Sequence, residues 1–296
     1  MKIQFGRTTV EMRKSPTIAL SVLVVCLAGP ATTADVDSEH LFGLTEGSDI
    51  GSEGERELEL EAAVRAGMRG GAYRVLSQAT ALKLTLNDSF RIAPVVAFDH
   101  HRIRGVPGLD DRNKFALSEF AFEMKYRALD RTGAPFGLTF GATPSWGRVD
   151  EVSGERTDSY GINVVALADK ELIAERLFAA VNVVYATAAS RVRATGAWEH
   201  ESTLAVSAAI SARLSERVFL GGEVRHERAY NGMGLHRFAD QGLFVGPAIY
   251  VHLSETAWAS VVWNAQVSGR AAGGTDALDL TNFARHLVKF RLGIQF

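Results

Sequence analysis

The sequence contains very little cysteine. Its only cysteine among 296 residues is Cys26, which lies close to the N-terminus, so no disulfide can connect two parts of the remaining chain. Neither sign of charge is in large excess. The formal net charge is -2, so the sequence lacks the excess of basic residues that nucleic-acid-binding proteins carry. These absences exclude a disulfide scaffold and argue against a nucleic-acid-binding protein.

Long apolar runs are missing beyond the N-terminus. A membrane-spanning helix needs about 20 consecutive apolar residues, and no later segment approaches that length. The sequence also has no phosphate-binding glycine loop and no Cys/His spacing of a zinc site. We therefore expect no cofactor and no metal.

The N-terminus has the organisation of a secretory signal peptide. The segment 1–34 carries basic residues, then the apolar run 18–28, and then several small residues. This order is typical of a cleaved export signal. We predict cleavage after Ala34, with Ala31 as the alternative, and hence a mature chain that leaves the cytoplasm.

The next segment, residues 35–54, is polar and rich in glycine. It has one apolar island, Leu41-Phe42, and its carboxylates Asp49 and Glu53 do not have the spacing of an EF-hand calcium loop. We predict a solvated periplasmic lead-in to the folded domain.

From residue 55 onward, apolar and polar residues alternate with a period of two. The last strand shows it well, since one parity carries His286, Val288, Phe290, Leu292, Ile294 and Phe296. The other parity carries Lys289 and Arg291, which a helical period would place within the apolar stripe. Because successive side chains on a strand point to opposite faces, about twelve such segments predict strands with one apolar and one polar face.

The connections between these segments alternate in length. Short turns such as Asn87-Asp88 and Ser254-Glu255 interleave with long polar loops at 102–114, 226–241 and 268–284. Short periplasmic turns, long outer loops and an even strand number are features of outer-membrane barrels. A soluble β-sandwich, the alternative, has no reason to alternate its loop lengths.

We therefore predict an all-β protein, a transmembrane antiparallel β-barrel of about twelve strands over residues 55–296. Its predicted location is the outer membrane of a Gram-negative bacterium, with outer-membrane lipids around it. One segment fits less well, because residues 169–176 are long for a periplasmic turn and could hold a short helix.

If the apolar parity faces lipid, the polar parity lines the lumen. The charged candidates for a lumen or selectivity role are Glu57, Glu59, Glu61, Glu119, Glu123, Glu223, Arg225, Glu227, Lys289 and Arg291. Barrel closure places the first strand beside the last, so the glutamate ladder is expected to face Lys289 and Arg291. Opposite charges across strands favour such pairing. The charges either only neutralise one another at this seam or also shape a selective constriction.

Two histidine motifs raise the question of an enzyme. His200-Glu201-Ser202 resembles the His-x-Ser pair of outer-membrane lipid hydrolases, but the following Thr203-Leu204 departs from their pattern. His100 and His101 are adjacent, and neighbouring side chains on a strand point to opposite faces. We predict that the protein is not an enzyme.

Two segments resemble known proteins. The terminal strand that ends on Phe296 resembles the C-terminal signature that barrel assembly machinery reads in outer-membrane barrels. The opening from Leu41 to Gly51 is similar to proteobacterial outer-membrane barrels related to the transporters of the MetA-pathway-of-phenol-degradation family. This resemblance implies binding or passage of small solutes and transfers no catalytic residue.

The predicted function is thus a passive channel or transporter for small solutes. The alternative is a structural or surface-interaction barrel whose lumen is plugged by its own side chains, because only about 16–18 strands leave a generous aqueous channel.

Overall fold

The computed structural model describes residues 36–296; the predicted signal peptide and Cys26 lie outside the described residues. Residues 56–295 form twelve strands, β1 (Arg56–Ala66), β2 (Ala72–Asn87), β3 (Phe90–Arg104), β4 (Arg112–Leu129), β5 (Gly137–Val149), β6 (Arg156–Ile173), β7 (Leu177–Val192), β8 (Trp198–Arg213), β9 (Val218–Asn231), β10 (Phe238–His252), β11 (Ala257–Ala271) and β12 (His286–Gln295). Within residues 36–296 no helix is long and apolar enough to cross a membrane.

Each strand pairs antiparallel with its neighbours in sequence, and β1 pairs with β12 to close the barrel. At this seam Leu58 lies opposite Ile294 and Val64 lies opposite Val288. Closure leaves no unpaired strand edge, which satisfies the backbone hydrogen bonds of a sheet surrounded by lipid. The predicted all-β class and the number of strands are confirmed.

The two parities of each strand face different environments. The outward parity carries large exposed apolar side chains such as Val181, Ile210 and Phe290, which are 49%, 56% and 41% exposed. The inward parity carries the buried charged side chains, such as Arg91, Lys125 and Arg291, and some buried apolar ones. The strands have 10 to 18 residues, and about 9–11 suffice to cross a bilayer. Most strands therefore extend beyond the apolar band at one or both ends.

The two ends of the barrel differ. The chain enters β1 and leaves β12 at the turn end, where four connections have two to four residues and one, 130–136, has seven. The other end, the loop end, carries connections of which 272–285 is the longest. The predicted loops at 102–114 and 226–241 are shorter than expected, because β3, β4, β9 and β10 continue into them. The possible helix at 169–176 is wrong, since β6 runs on to Ile173 and a tight turn follows.

Residues 36–50 lie inside the barrel at its turn end, and we call them the plug. Its side chains Ser38, His40, Leu41 and Phe42 are each no more than 1% exposed. The prediction of a solvated lead-in is therefore wrong for this segment. Its composition does look solvated, but the charged wall of the barrel supplies the partners that water would otherwise provide.

Candidate functional site: the plugged lumen

The plug is anchored by one buried carboxylate, that of Glu39. Arg91 on β3 donates from both Nη atoms to its two oxygens, each at 2.5 Å. Lys83 on β2 and Lys125 on β4 lie 3.3 Å and 3.1 Å from Glu39 Oε1. Three cations from neighbouring strands thus converge on one side chain of the plug.

Wall side chains also satisfy the backbone of the plug. The amides of Leu44 and Thr45 both donate to Glu223 on β9 at 2.9 Å. The amide of Glu46 donates to Asn182 on β7 at 2.7 Å, and the Asn182 amide donates back to the Glu46 carbonyl. Because buried backbone groups need partners, these wall residues fix where the segment lies.

The remaining strands complete the contact. The carbonyl of Gly43 accepts from Arg291 on β12 at 2.7 Å, and Thr139 on β5 donates to the Ser48 carbonyl. Further partners are Asp169 on β6, Ser207 on β8, Thr85 on β2 and Glu57 on β1. Together with the apolar contacts on β10 and β11, the segment touches all twelve strands.

The apolar island is the hydrophobic anchor of the plug. Leu41 and Phe42 pack into a buried cluster with Phe178, Phe219 and Tyr250, which come from β7, β9 and β10. Beside it, the His40 ring stacks on Trp258 with ring centroids 3.8 Å apart. Apolar burial on one side and ion pairs on the other hold the segment across the lumen.

Electrostatics favour the charged form of the glutamates in the plug. Burial opposes ionisation of Glu39, but the charges of Arg91, Lys83 and Lys125 outweigh it and hold its pKa well below the ordinary value. Burial likewise opposes ionisation of Glu46, and Lys125 prevails, lowering its pKa to about 2. At Asp37 burial outweighs the attraction of His40 and raises the pKa to about 6.

A chamber of about 410 Å³ lies on the loop side of the plug. Leu44 and Glu46 of the plug contribute to its lining, and its wall carries charges of both signs, from Glu61, Glu123, Arg65, Lys125, Arg225 and Lys289. A smaller cavity of about 140 Å³ lies beside Glu39 and Lys83.

Two connections at the loop end narrow the mouth of this chamber. In the connection 150–155, the Glu151 carboxylate pairs with Arg65 and its carbonyl contacts His101 at 3.1 Å. In the connection 272–285, Phe283 packs edge-on against Phe244 with ring centroids 5.7 Å apart. The lumen is thus filled at the turn end and constricted at the loop end.

The ten charged residues predicted for the lumen all lie on the inward parity of their strands. Those at the level of the plug are Glu57, Glu59, Glu123, Glu223 and Arg291, and those further towards the loops are Glu61, Glu119, Arg225, Glu227 and Lys289. Arg225 pairs with Glu227 on its own strand. Glu119 forms no ion pair within residues 36–296.

The expected pairing across the seam is only partly right. Lys289 does pair with β1, but with Glu61 at 2.6 Å. Glu57 and Glu59 instead pair with Lys83 on β2, at 3.0 Å and 2.5 Å. Arg291 lies opposite Glu61 in the register, yet its guanidinium is used to hold the plug. The strand order was foreseeable, but the position of each partner along the strand was not.

The histidine motifs do not assemble a catalytic site. Ser202 donates to the Gly232 carbonyl at 2.9 Å, while His200 is exposed on the outward parity. His101 is buried inward, and His100 lies outward against Phe115. The predicted opposite orientation of these two histidines is confirmed.

One group has the composition of a metal site. His40, Glu57 and Glu59 place ligand atoms within 4.8 Å of one another. The Lys83 ammonium sits among them, 3.3 Å from His40 Nε2 and close to both carboxylates. Since a cation of the protein already neutralises the carboxylates, the group is best described as an ion-pair cluster.

The main residues that sequence reasoning missed are those of the plug, above all Glu39, His40 and Glu46. The usable signal was the Leu41-Phe42 island, because two adjacent large apolar residues in a polar segment need a place to be buried.

The fold resembles solved outer-membrane barrels. The COG4313 outer membrane channel from Pseudomonas putida F1 aligns with a TM-score of 0.55 and 12% identity, over 84% of this chain and 98% of that one. The β-domain of the Bordetella autotransporter BrkA aligns with a TM-score of 0.54 and 10% identity, over 82% and 100%. At these identities the likeness shows the fold alone.

The sequence comparisons address the family. No curated protein matches the sequence. The resemblance to the MetA-pathway family is not confirmed, because the family model that matches is a different one and covers residues 34–296. The chain belongs to the Family of unknown function (DUF6662).

Proposed function

We propose that this protein is an outer-membrane channel for small polar solutes, and that its plug closes the lumen in the state described here. The observation that carries the proposal is the way the plug is held. Residues 36–50 form no strand, and their backbone-to-backbone hydrogen bonds, Leu41 to Ser38 and Gly47 to Glu39, are internal. Every contact between the plug and the wall involves a side chain. The plug can therefore leave the lumen without breaking the backbone hydrogen bonds that hold the barrel together.

The chamber beyond the plug supports the same proposal. A purely structural barrel would fill its lumen with side chains, whereas this one keeps about 410 Å³ of polar space. Charges of both signs can bind the two ends of a zwitterion, and no single sign dominates to reject one type of ion. Removal of the plug would connect this space to the turn end.

A reversible cross-link tests the proposal. Thr45 Oγ1 of the plug and Ser207 Oγ of β8 are 3.0 Å apart, so a T45C/S207C variant places two thiols close enough for a disulfide. In planar bilayers we expect the reduced variant to show intermittent conductance and the oxidised variant to stay closed. The single variant T45C should not respond to oxidation.

A second candidate function, a structural barrel with a permanent plug, rests on a different observation. The plug touches all twelve strands, as a permanent part of a structural barrel would. The decisive control is a variant that lacks residues 36–50 and is verified as folded by its heat-modifiable gel shift. If this barrel never conducts, and the reduced cross-link variant does not either, the channel proposal fails and the structural barrel stands.

The proposed orientation places the loop end outside the cell. Epitope tags in the connections 105–111, 232–237 and 272–285 should be detected on intact cells, because outer loops face the medium. Tags after Asp88 or Glu255, in the turns, should be detected only after permeabilisation. The opposite pattern would invert the orientation.

A further inference from the structure

Two arginines face each other on the outer surface of the barrel. Arg74 on β2 and Arg102 on β3 are direct partners in the strand register, and Arg104 follows two residues later on the same face. All three side chains are exposed and on the outward parity. Like charges directly opposite on neighbouring strands repel each other, so this pair calls for an explanation.

No carboxylate of the described residues neutralises the cluster. None of the three arginines forms an ion pair within residues 36–296. The nearest acidic residues in sequence are otherwise engaged, since Asp111 accepts from the Gly105 amide at 2.6 Å and Asp110 lies 3.8 Å from Arg112. The polar contact of Arg102 is to His100, at 3.5 Å, and it adds no negative charge.

Two other outward arginines near this end have partners of their own. Arg193 pairs with Asp158, and the Arg228 guanidinium lies over the rings of Tyr230 and Phe238, 5.6 Å and 5.0 Å from their centroids. The pair on β2 and β3 differs from these two, because two like charges lie directly opposite each other and a countercharge from outside the chain would relieve their repulsion.

The height of the cluster fits the headgroup layer of a membrane. Phe90 and Phe98 are on the outward parity of β3, eight residues apart, or about 21 Å along the axis of a barrel with tilted strands. Phe98 stacks on Phe115 of β4, with ring centroids 5.6 Å apart, as in the aromatic girdle of an outer-membrane barrel. Arg102 lies four residues beyond Phe98, about 10 Å above that girdle.

We propose that Arg74, Arg102 and Arg104 bind the phosphate of an anionic lipid headgroup in the outer leaflet, with its acyl chains against Phe98 and Phe115. Guanidinium groups match phosphate oxygens in a bidentate geometry. The outer leaflet of a Gram-negative outer membrane supplies such a group in lipid A, a phosphorylated glycolipid. This site lies on the lipid-facing wall, so it does not depend on the proposed channel function, but it rests on the proposed orientation with the loop end outside.

Native mass spectrometry of the folded, full barrel in detergent tests the site, with diphosphorylated lipid A as the probe. We expect the R74Q/R102Q variant to bind it about 10-fold or more weakly than the wild type, since each basic residue near an anionic surface contributes to attraction. The matched control is R176Q/R217Q, which removes two exposed arginines from the turns at the other end and should retain wild-type affinity. Dephosphorylated lipid A should bind the wild type as weakly as diphosphorylated lipid A binds the variant.

A stability measurement provides a second readout. In lipid-free detergent, R74Q/R102Q should melt no lower than the wild type, because a repulsive pair has been removed. Added lipid A should raise the melting temperature of the wild type more than that of the variant. The site is refuted if R74Q/R102Q binds lipid A like the wild type, if the control loses as much affinity, or if millimolar inorganic phosphate displaces the lipid completely.

Discussion

Glu39 of the plug and Arg91 of β3 form a buried two-point salt bridge, with each Nη 2.5 Å from a different carboxylate oxygen. Their side chains are 5% and 3% exposed. Removing one partner of a buried ion pair strands the other charge and costs roughly 3–5 kcal/mol. This contact joins the plug to the wall, so its loss should affect the plug before the barrel.

The first prediction is that Glu39→Gln releases the plug. Arg91, Lys83 and Lys125 would lose a shared counter-charge, although Glu123, Glu57 and Glu46 still pair with them. We expect hydrogen exchange of residues 36–50 to accelerate while the heat-modifiable gel shift of the barrel is kept. Glu53→Gln, an exposed carboxylate just outside the plug, is the control and should leave exchange unchanged. Unchanged protection in the Glu39 variant would show that the ion pair does not hold the plug.

The second prediction uses two glycines. Gly43 and Gly54 both have positive φ, +92° and +82°, so alanine is strained at each. A Cβ on Gly43 would meet Val262 on β11 at 2.9 Å, whereas one on Gly54 would meet no atom within 4 Å. Gly43→Ala should therefore loosen the plug more than Gly54→Ala, as measured by hydrogen exchange of residues 36–50. Equal effects of the two variants would mean that only backbone strain matters.

The third prediction concerns pH. Burial raises the pKa of Asp37 to about 6 in the docked plug, above its ordinary value near 4. A raised carboxyl pKa means that docking is favoured at low pH and weakens as pH rises through 6. Glu39 has a lowered pKa, so its contribution is lost as pH falls below its ordinary value of 4.5. Docking should therefore be strongest near pH 4.5, weaken towards pH 6 and stay constant above it.

The variant Asp37→Asn separates these two effects. It should abolish the weakening of docking between about pH 4.5 and 6 and keep the loss in acid that Glu39 causes. Hydrogen exchange of the plug, normalised at each pH to an unfolded reference, measures both the weakening that Asp37 causes and the loss in acid that Glu39 causes. A wild-type plug whose protection does not change between pH 5 and 7.5 would contradict the role given to Asp37.

The fourth prediction addresses the seam. Lys289→Glu places a like charge against Glu61 in place of the 2.6 Å ion pair, and cross-strand charge pairs contribute roughly 0.2–1 kcal/mol each. We expect a modest fall in the temperature of the heat-modifiable transition. Glu61→Lys should restore it, whereas Glu59→Lys should not, because Glu59 pairs with Lys83. If both Glu61→Lys and Glu59→Lys restore the transition temperature, or if neither does, the ion pair between Lys289 and Glu61 is contradicted.

The barrel was predictable from the sequence pattern alone. Alternation with a period of two is a local property of a strand, and it recurs in every strand from β1 to β12 because each has lipid on one side and the lumen on the other. The even strand number and the short turns followed from the same pattern. For this reason the inward position of residues as distant as Glu57 and Arg291 was predictable without coordinates.

What occupies the lumen depends on contacts between residues that are far apart in the sequence. In residues 36–50 apolar and polar residues do not alternate with any regular period. Their local pattern therefore does not distinguish a solvated segment from one that is buried among charges. The partners of Glu39 come from three different strands, and barrel closure alone brings them around one carboxylate. The opposition of Arg74 and Arg102 depends likewise on strand register, because a shift of one residue would turn one of them to the other face.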